Sequence, residues 1–110
     1  MISSISPQTA RDWLSLDEAV LIDVREADEF ASGHIEGAIS LPLSLIANAS
    51  DCEFKALNIP SDKKIIFQCV KGMRSEQGLH FIAQKYTPSH ELYNLEGGII
   101  AWGDAGLPIV

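Results

Sequence analysis

Ile65-Ile66-Phe67-Gln68-Cys69-Val70-Lys71-Gly72-Met73-Arg74-Ser75 is where an apolar segment gives way to a polar one and then to a helical pattern. Two β-branched isoleucines and a phenylalanine in a row have the composition of a strand buried on both faces. The following residues are too polar to continue that strand, and Gly72 permits a tight backbone curl. From Ser75 onward Leu79, Ile82, Ala83 and Tyr86 recur at i, i+3, i+4 and i+7, which predicts an amphipathic helix, with Pro88 just beyond its end. Strand, loop and helix in that order form one unit of an α/β sheet. Ligand sites in such sheets lie outside the carboxyl ends of the strands, which is where this loop falls.

Outward from this unit the same alternation continues. Ser6-Pro7 reads as an N-cap followed by proline at the first helical position, and Ala10, Trp13 and Leu14 share one face of the short helix that follows. Ala19-Val20-Leu21-Ile22 reads as a second buried strand, ending in the charged group Asp23-Val24-Arg25-Glu26. A short helix is expected through Glu29 and Phe30, closed by Gly33. Ala38 to Leu41 reads as a short strand stopped by Pro42, and residues 43–49 as a helical turn or two. Pro60-Ser61-Asp62 marks a turn. Leu92, Tyr93 and Leu95 form a last strand before Gly97-Gly98, and a closing helix is expected over residues 99–105. Strands alternating with helices imply crossover connections and a mainly parallel sheet.

The 110 residues suit one domain, residues 1–110, with no linker or internal repeat. Hydrophobic residues make up 46% and charged residues 21%, a balance that excludes disordered and collagen-like chains. The net charge of −7, from 15 acidic and 8 basic residues, argues against nucleic acid and anionic membrane surfaces as partners. No apolar run reaches the ~18 residues of a membrane span, and the first residues lack the basic and apolar regions of a signal peptide. A cytoplasmic setting with reduced thiols is therefore expected. The two cysteines, Cys52 and Cys69, form no Cys-x-x-Cys pair and have no histidine close by in sequence, so no metal site is expected.

Several effects converge on Cys69. A loop entering a helix turns consecutive backbone N–H groups inward as an anion-binding nest, and the helix dipole adds positive potential. Lys71 and Arg74 place two cations within five residues of the sulfur. All of these favour thiolate over thiol and lower the pKa below the ~8.5 of free cysteine. A cysteine after a buried strand is more often a core residue, but two cations and a glycine immediately following are foreign to a core. Cys52, between Asp51 and Glu53, has the opposite environment, and any redox role for it is open.

Three motifs together give the chain a resemblance to the single-domain rhodaneses, which are sulfurtransferases. They are Leu21-Ile22-Asp23-Val24-Arg25-Glu26 continuing through Gly33-His34-Ile35-Glu36-Gly37-Ala38-Ile39, the cysteine loop, and Leu95-Glu96-Gly97-Gly98-Ile99-Ile100-Ala101-Trp102 closed by Gly106-Leu107-Pro108. The resemblance implies a three-layer α/β fold: a five-stranded, mainly parallel sheet with helices on both faces. It implies that Cys69 is the nucleophile that carries a persulfide. Val70, Lys71, Gly72, Met73, Arg74 and Ser75 would form the cradle that binds substrate. The expected partners are a small anionic sulfur donor of thiosulfate type and a thiol or cyanide acceptor, with no cofactor. Thiosulfate-cleaving members often carry a basic residue directly after the cysteine, where this chain has Val70, so the donor is left open.

Two other readings compete. One is a non-catalytic sulfur carrier or sensing module for a protein partner; because the chain stops at Val110, such a partner is expected to be a separate molecule. The other is a phosphatase or arsenate reductase on the same fold. That chemistry resembles His-Cys-x5-Arg, whereas here four residues separate Cys69 from Arg74 and Gln68 precedes the cysteine. Asp23 and Arg25, at the same strand edge, are candidates to support the site, though an ion pair or cap suits them better than substrate contact. His34 is expected to cap or pack, His80 and His90 to lie on the surface, and Trp102 to belong to the core. Gly97-Gly98 lacks the Lys and Ser/Thr that a phosphate loop requires.

Overall fold

The computed structural model describes residues 3–41, 63–68 and 91–110. Within them five strands, β1 (Ser3–Ile5), β2 (Ala19–Asp23), β3 (Ile39–Ser40), β4 (Lys64–Gln68) and β5 (Leu92–Leu95), form one sheet in the order β1-β5-β4-β2-β3. Every adjacent pair is parallel. Three helices accompany them: α1 (Pro7–Ser15), α2 (Ala27–Ser32) and α3 (Gly98–Asp104). The α/β class and the five-stranded parallel sheet agree with the expectation. The helices expected over residues 43–49 and 75–86, the turn at Pro60-Ser61-Asp62, both cysteines, His80 and His90 lie outside the described residues.

The strands are placed by alternation. Leu21, Ile66 and Leu95 point to one face, where they join Ala10 of α1, Ile35, and Ile99 and Trp102 of α3 in a single buried cluster. Ile22, Ile65 and Phe67 point to the other face and are equally inaccessible to solvent. A central parallel strand buried on both sides has no polar face, which is why β2 and β4 read as unbroken apolar runs.

Local signals set the helix ends. Ser6 caps α1, its Oγ accepting from the Thr9 N–H at 3.2 Å, with proline opening the helix. Trp13 of α1 meets Tyr93 of β5 edge to face at 4.8 Å between centroids and lies 5.1 Å below the Lys64 ammonium, which fixes the helix across the sheet. Partial burial, together with the Glu91 carboxylate 3.2 Å away, raises the Tyr93 phenol above its usual pKa. In α3 the Trp102 indole N–H donates to the Pro108 carbonyl at 2.9 Å, tying the closing helix to the segment after it.

Three details differ from the sequence reading. β2 runs one residue further, to Asp23, because that side chain is buried in an ion pair described below. β3 is limited to Ile39 and Ser40. β1 carries no local strand signal, since Ser3-Ser4-Ile5 lacks an apolar run. It is an edge strand held by its parallel register with Tyr93, Asn94 and Leu95.

Two glycines separate conformation from crowding. Gly97 and Gly37 both adopt positive φ, 74° and 82°. A Cβ on Gly97 would lie 2.5 Å from the Ala101 Cβ, whereas one on Gly37 would meet nothing within 4 Å. Gly37→Ala should therefore cost about 1–2 kcal/mol, the left-handed backbone penalty alone. Gly97→Ala should cost clearly more, because the first turn of α3 must also shift. Urea unfolding of the two variants checks the order; equal losses would mean that α3 absorbs the methyl freely.

Candidate functional site

The strand order defines a switch in direction. From β2 the chain passes through α2 to β3, on one side of it; from β4 it passes to β5, on the other. The carboxyl ends of β2 and β4 therefore flank a topological switch point, the place where open parallel sheets leave a crevice for ligands.

Four buried polar or charged residues stand near these strand ends. The buried polar or charged residues among those described are Asp23, Arg25, Gln68 and Asn94, and all four stand at the carboxyl-terminal half of β2, β4 and β5 or just past it. Asp23 pairs in register with Gln68, and Phe67 with Asn94. The Val24 N–H donates to the Gln68 carbonyl at 2.9 Å, and the Leu41 N–H donates to the Asp23 carbonyl at 2.9 Å, so the backbone ladder is carried to the edge of the crevice.

Asp23 is wholly buried, and its carboxylate is matched on several sides. Its Oδ1 accepts from the Arg25 backbone N–H at 3.0 Å, a turn closed by the aspartate on the residue two further on. The Arg25 Nε lies 3.0 and 3.1 Å from the two oxygens, and Nη2 donates to Oδ2 at 2.7 Å. Nη2 also donates to the Gly33 carbonyl at 2.7 Å. Arg25 therefore ties the end of β2 to the C-terminal end of α2. At the start of that helix the Glu26 N–H donates to Glu29 Oε1 at 3.1 Å within a capping box. At its end His34 stacks on Phe30, centroids 3.9 Å apart and planes 7° apart, with Nδ1 3.0 Å from the Phe30 carbonyl.

The sequence candidates divide accordingly. Asp23 and Arg25 meet in a buried ion pair at the crevice. Cys69, Val70, Lys71, Gly72, Met73, Arg74 and Ser75 lie outside the described residues, and Gln68, the residue that precedes Cys69, is the last of β4. His34 packs, and Trp102 is a core residue, 3% exposed. Gln68 and Asn94 were not singled out as candidates. Their signal is a polar residue inside or ending an otherwise apolar strand, Ile65-Ile66-Phe67-Gln68 and Leu92-Tyr93-Asn94-Leu95. Among the described residues no three His, Cys, Asp or Glu side chains are grouped to hold a metal, and no helix is long and apolar enough to cross a membrane.

The family model described as the rhodanese-like domain matches residues 6–105. A protein of Allochromatium vinosum named sulfurtransferase is 33% identical over 111 residues, covering 100% of this chain and 96% of its own. The thiosulfate sulfurtransferase GlpE of Actinobacillus succinogenes is 32% identical over 107 residues, covering 97% of this chain and 89% of its own. Among solved structures, a rhodanese-related protein of Thermoplasma volcanium superposes with a TM-score of 0.77 at 28% identity, covering 98% of this chain and 97% of that one.

The ion pair generates a stability prediction. Removing one partner of a buried pair leaves a charge without compensation and costs about 3–5 kcal/mol, whereas replacing both by neutral groups is far milder. Arg25→Met should lower unfolding stability by that amount, and Asp23→Asn combined with Arg25→Met should recover a large part of it. Urea denaturation of the single and double variants checks this. Additive losses would mean that the two side chains do not act as a unit.

Proposed function

Because the chain belongs to the rhodanese-like domain family, we propose that it is a sulfurtransferase carrying a sulfane sulfur from an anionic donor of thiosulfate type to a thiophilic acceptor, through a persulfide on Cys69. The observation that carries this reading is the position of Gln68. It closes β4 at the switch point, and the candidate nucleophile follows it by one peptide bond. The names of the two sulfurtransferase relatives support the reaction class, and one of them supports thiosulfate as donor.

The steps balance without a cofactor. The Cys69 thiolate attacks the outer sulfur of thiosulfate, the sulfur–sulfur bond of the donor breaks, and its electron pair leaves with sulfite. Cys69 then holds a persulfide whose terminal sulfur carries the negative charge. Cyanide, or the thiolate of a small molecule or protein, attacks that terminal sulfur. The thiolate of Cys69 is the leaving group and is regenerated. The roles assigned to residues 70–75 are those that such charges call for. Backbone N–H groups of Val70 to Ser75 would stabilise the terminal sulfur, Lys71 and Arg74 would draw in the dianionic donor, and Gly72 would let the loop close around it. Asp23 and Arg25 would act indirectly, by holding the end of β2 against the last residue of β4.

Intact mass after incubation with thiosulfate should rise by one sulfur atom, and the gain should vanish on adding cyanide. Cys69→Ser should abolish the gain and the turnover, because a serine hydroxyl is not ionised near neutral pH, while Cys52→Ser should keep most of both. Near-normal turnover by the Cys69 variant would overturn the reading. Alkylation by iodoacetamide, followed at each cysteine from pH 5 to 10, should show Cys69 reacting well below the ~8.5 of a free thiol and Cys52 only at higher pH. Cys52 titrating first would remove the electropositive cradle. Lys71→Ala with Arg74→Ala should weaken use of thiosulfate and leave stability within about 0.5 kcal/mol.

A further inference from the structure

The peptide group that joins Gly33 to His34 is held from both sides. Its carbonyl oxygen accepts from the Arg25 Nη2 at 2.7 Å, and its N–H donates to the Val110 backbone oxygen at 2.9 Å. The same Nη2 donates to Asp23 Oδ2 at 2.7 Å. An unbroken series of hydrogen bonds therefore runs from the Asp23 carboxylate, at the end of β2, through one guanidinium and one peptide group to Val110. We propose that residues 108–110 form a releasable strap whose docking positions Arg25 on Asp23, through the Gly33–His34 peptide group, and thereby sets the rate of sulfur transfer. The inference rests on the sulfur-transfer reading only for its effect on turnover.

Three observations carry it. First, the strap is docked at defined points. The Val110 N–H donates back to the His34 carbonyl at 2.8 Å, and Ile35 faces Ile109 in an antiparallel bridge. The Pro108 carbonyl accepts from the Trp102 indole at 2.9 Å. A Cβ placed on Gly33 would lie 3.4 Å from Ile109 Cγ2, and one on Gly103 3.3 Å from Ile109 Cδ1, so the isoleucine reaches from the end of α2 to α3.

Second, little burial holds the strap there. Ile109 and Val110 remain 46% and 57% exposed, and Pro108 is exposed as well. A segment with its side chains half in water opens at a fraction of the cost of unfolding the sheet. Third, the bonds of the series support one another. A guanidinium that donates to a carbonyl makes the N–H of the same peptide group a better donor, and the converse holds. Losing the Val110 acceptor lets that peptide group turn, and Arg25 then loses the carbonyl that holds its Nη2 beside Asp23. Docked and released are two arrangements of one network, which is what coupling between separated groups requires.

The test follows amide hydrogen exchange in the full chain labelled with ¹⁵N. Two variants release the strap from different sides. Val110→Pro removes the N–H that donates to the His34 carbonyl. Gly103→Leu, at an exposed position of α3, fills the space beside Ile109 Cδ1 and removes none of the hydrogen bonds. In both, exchange of the Arg25 amide should rise by about tenfold or more, although that N–H is bonded to Asp23 Oδ1 and not to the strap. Exchange at Ile66, in the central strand β4, should stay within about twofold of wild type. Ile100→Ser, at an exposed aliphatic of α3 outside the series, should change neither. A rise at His34 with Arg25 unmoved would reduce the strap to a local cover and overturn the proposal. A matching rise at Ile66 would overturn it as well, because the variants would then loosen the whole sheet. Thiosulfate turnover to cyanide should fall by about threefold or more in both strap variants, a coupling of ordinary size, and hold at the wild-type level in Ile100→Ser. Undiminished turnover in both strap variants would overturn the control of sulfur transfer. A wild-type chain without that turnover would overturn the sulfur-transfer reading and leave the strap to be decided by exchange alone.

Discussion

Burying the Asp23 carboxylate at the end of β2 imposes a demand that the surrounding chain is arranged to meet. A carboxylate removed from water is tolerated only where opposite charge and hydrogen-bond donors replace the lost solvent. Here the donors come from a single residue two positions on, through both its backbone N–H and its guanidinium. That requirement makes the chain turn back immediately after the strand. It also brings the far end of α2 under control, because the same guanidinium donates to the Gly33 carbonyl. The length and placement of α2, the approach of Leu41 to the Asp23 carbonyl, and the contact of Val24 with Gln68 all follow from a turn made at that point. The end of β2 is thereby tied to the end of β4 by the Val24 N–H and the Gln68 carbonyl, as the nucleophile proposed at residue 69 would require of its scaffold.

Much of this was legible in the residues because the strongest physical signals are local. Apolar runs without alternation marked β2 and β4 as central strands, Ser6-Pro7 marked the start of α1, and the spacing of Ile99 and Trp102 marked the buried side of α3. β1 was not legible, because its stability comes from pairing with a strand at the other end of the chain, and nothing in Ser3-Ser4-Ile5 announces a partner. The polar cluster was half legible. Asp23 and Arg25 stood out by charge and spacing. Gln68 and Asn94 did not, since only the register of three neighbouring strands reveals that they gather at one end of the sheet. The chemistry of the cysteine loop was read from charge and composition alone, and the family match over residues 6–105 gives that reading its context.

The parallel pairing of β1 with β5 has a consequence for how the protein is made. Ser3 lies beside Tyr93, so β1 waits for a partner made about 90 residues later. At the usual ~5–20 residues per second, that interval is on the order of ten seconds. In the last part of it, once β4 has been made, the Ile65-Ile66-Phe67 segment lacks the neighbour that finally covers one of its edges. A nascent chain in this state exposes a sticky, unpaired strand while its sheet is still short of a member. The closing helix, whose Trp102 completes the core cluster, comes later still. Until β5 arrives, that edge of β4 is open to pairing with another chain.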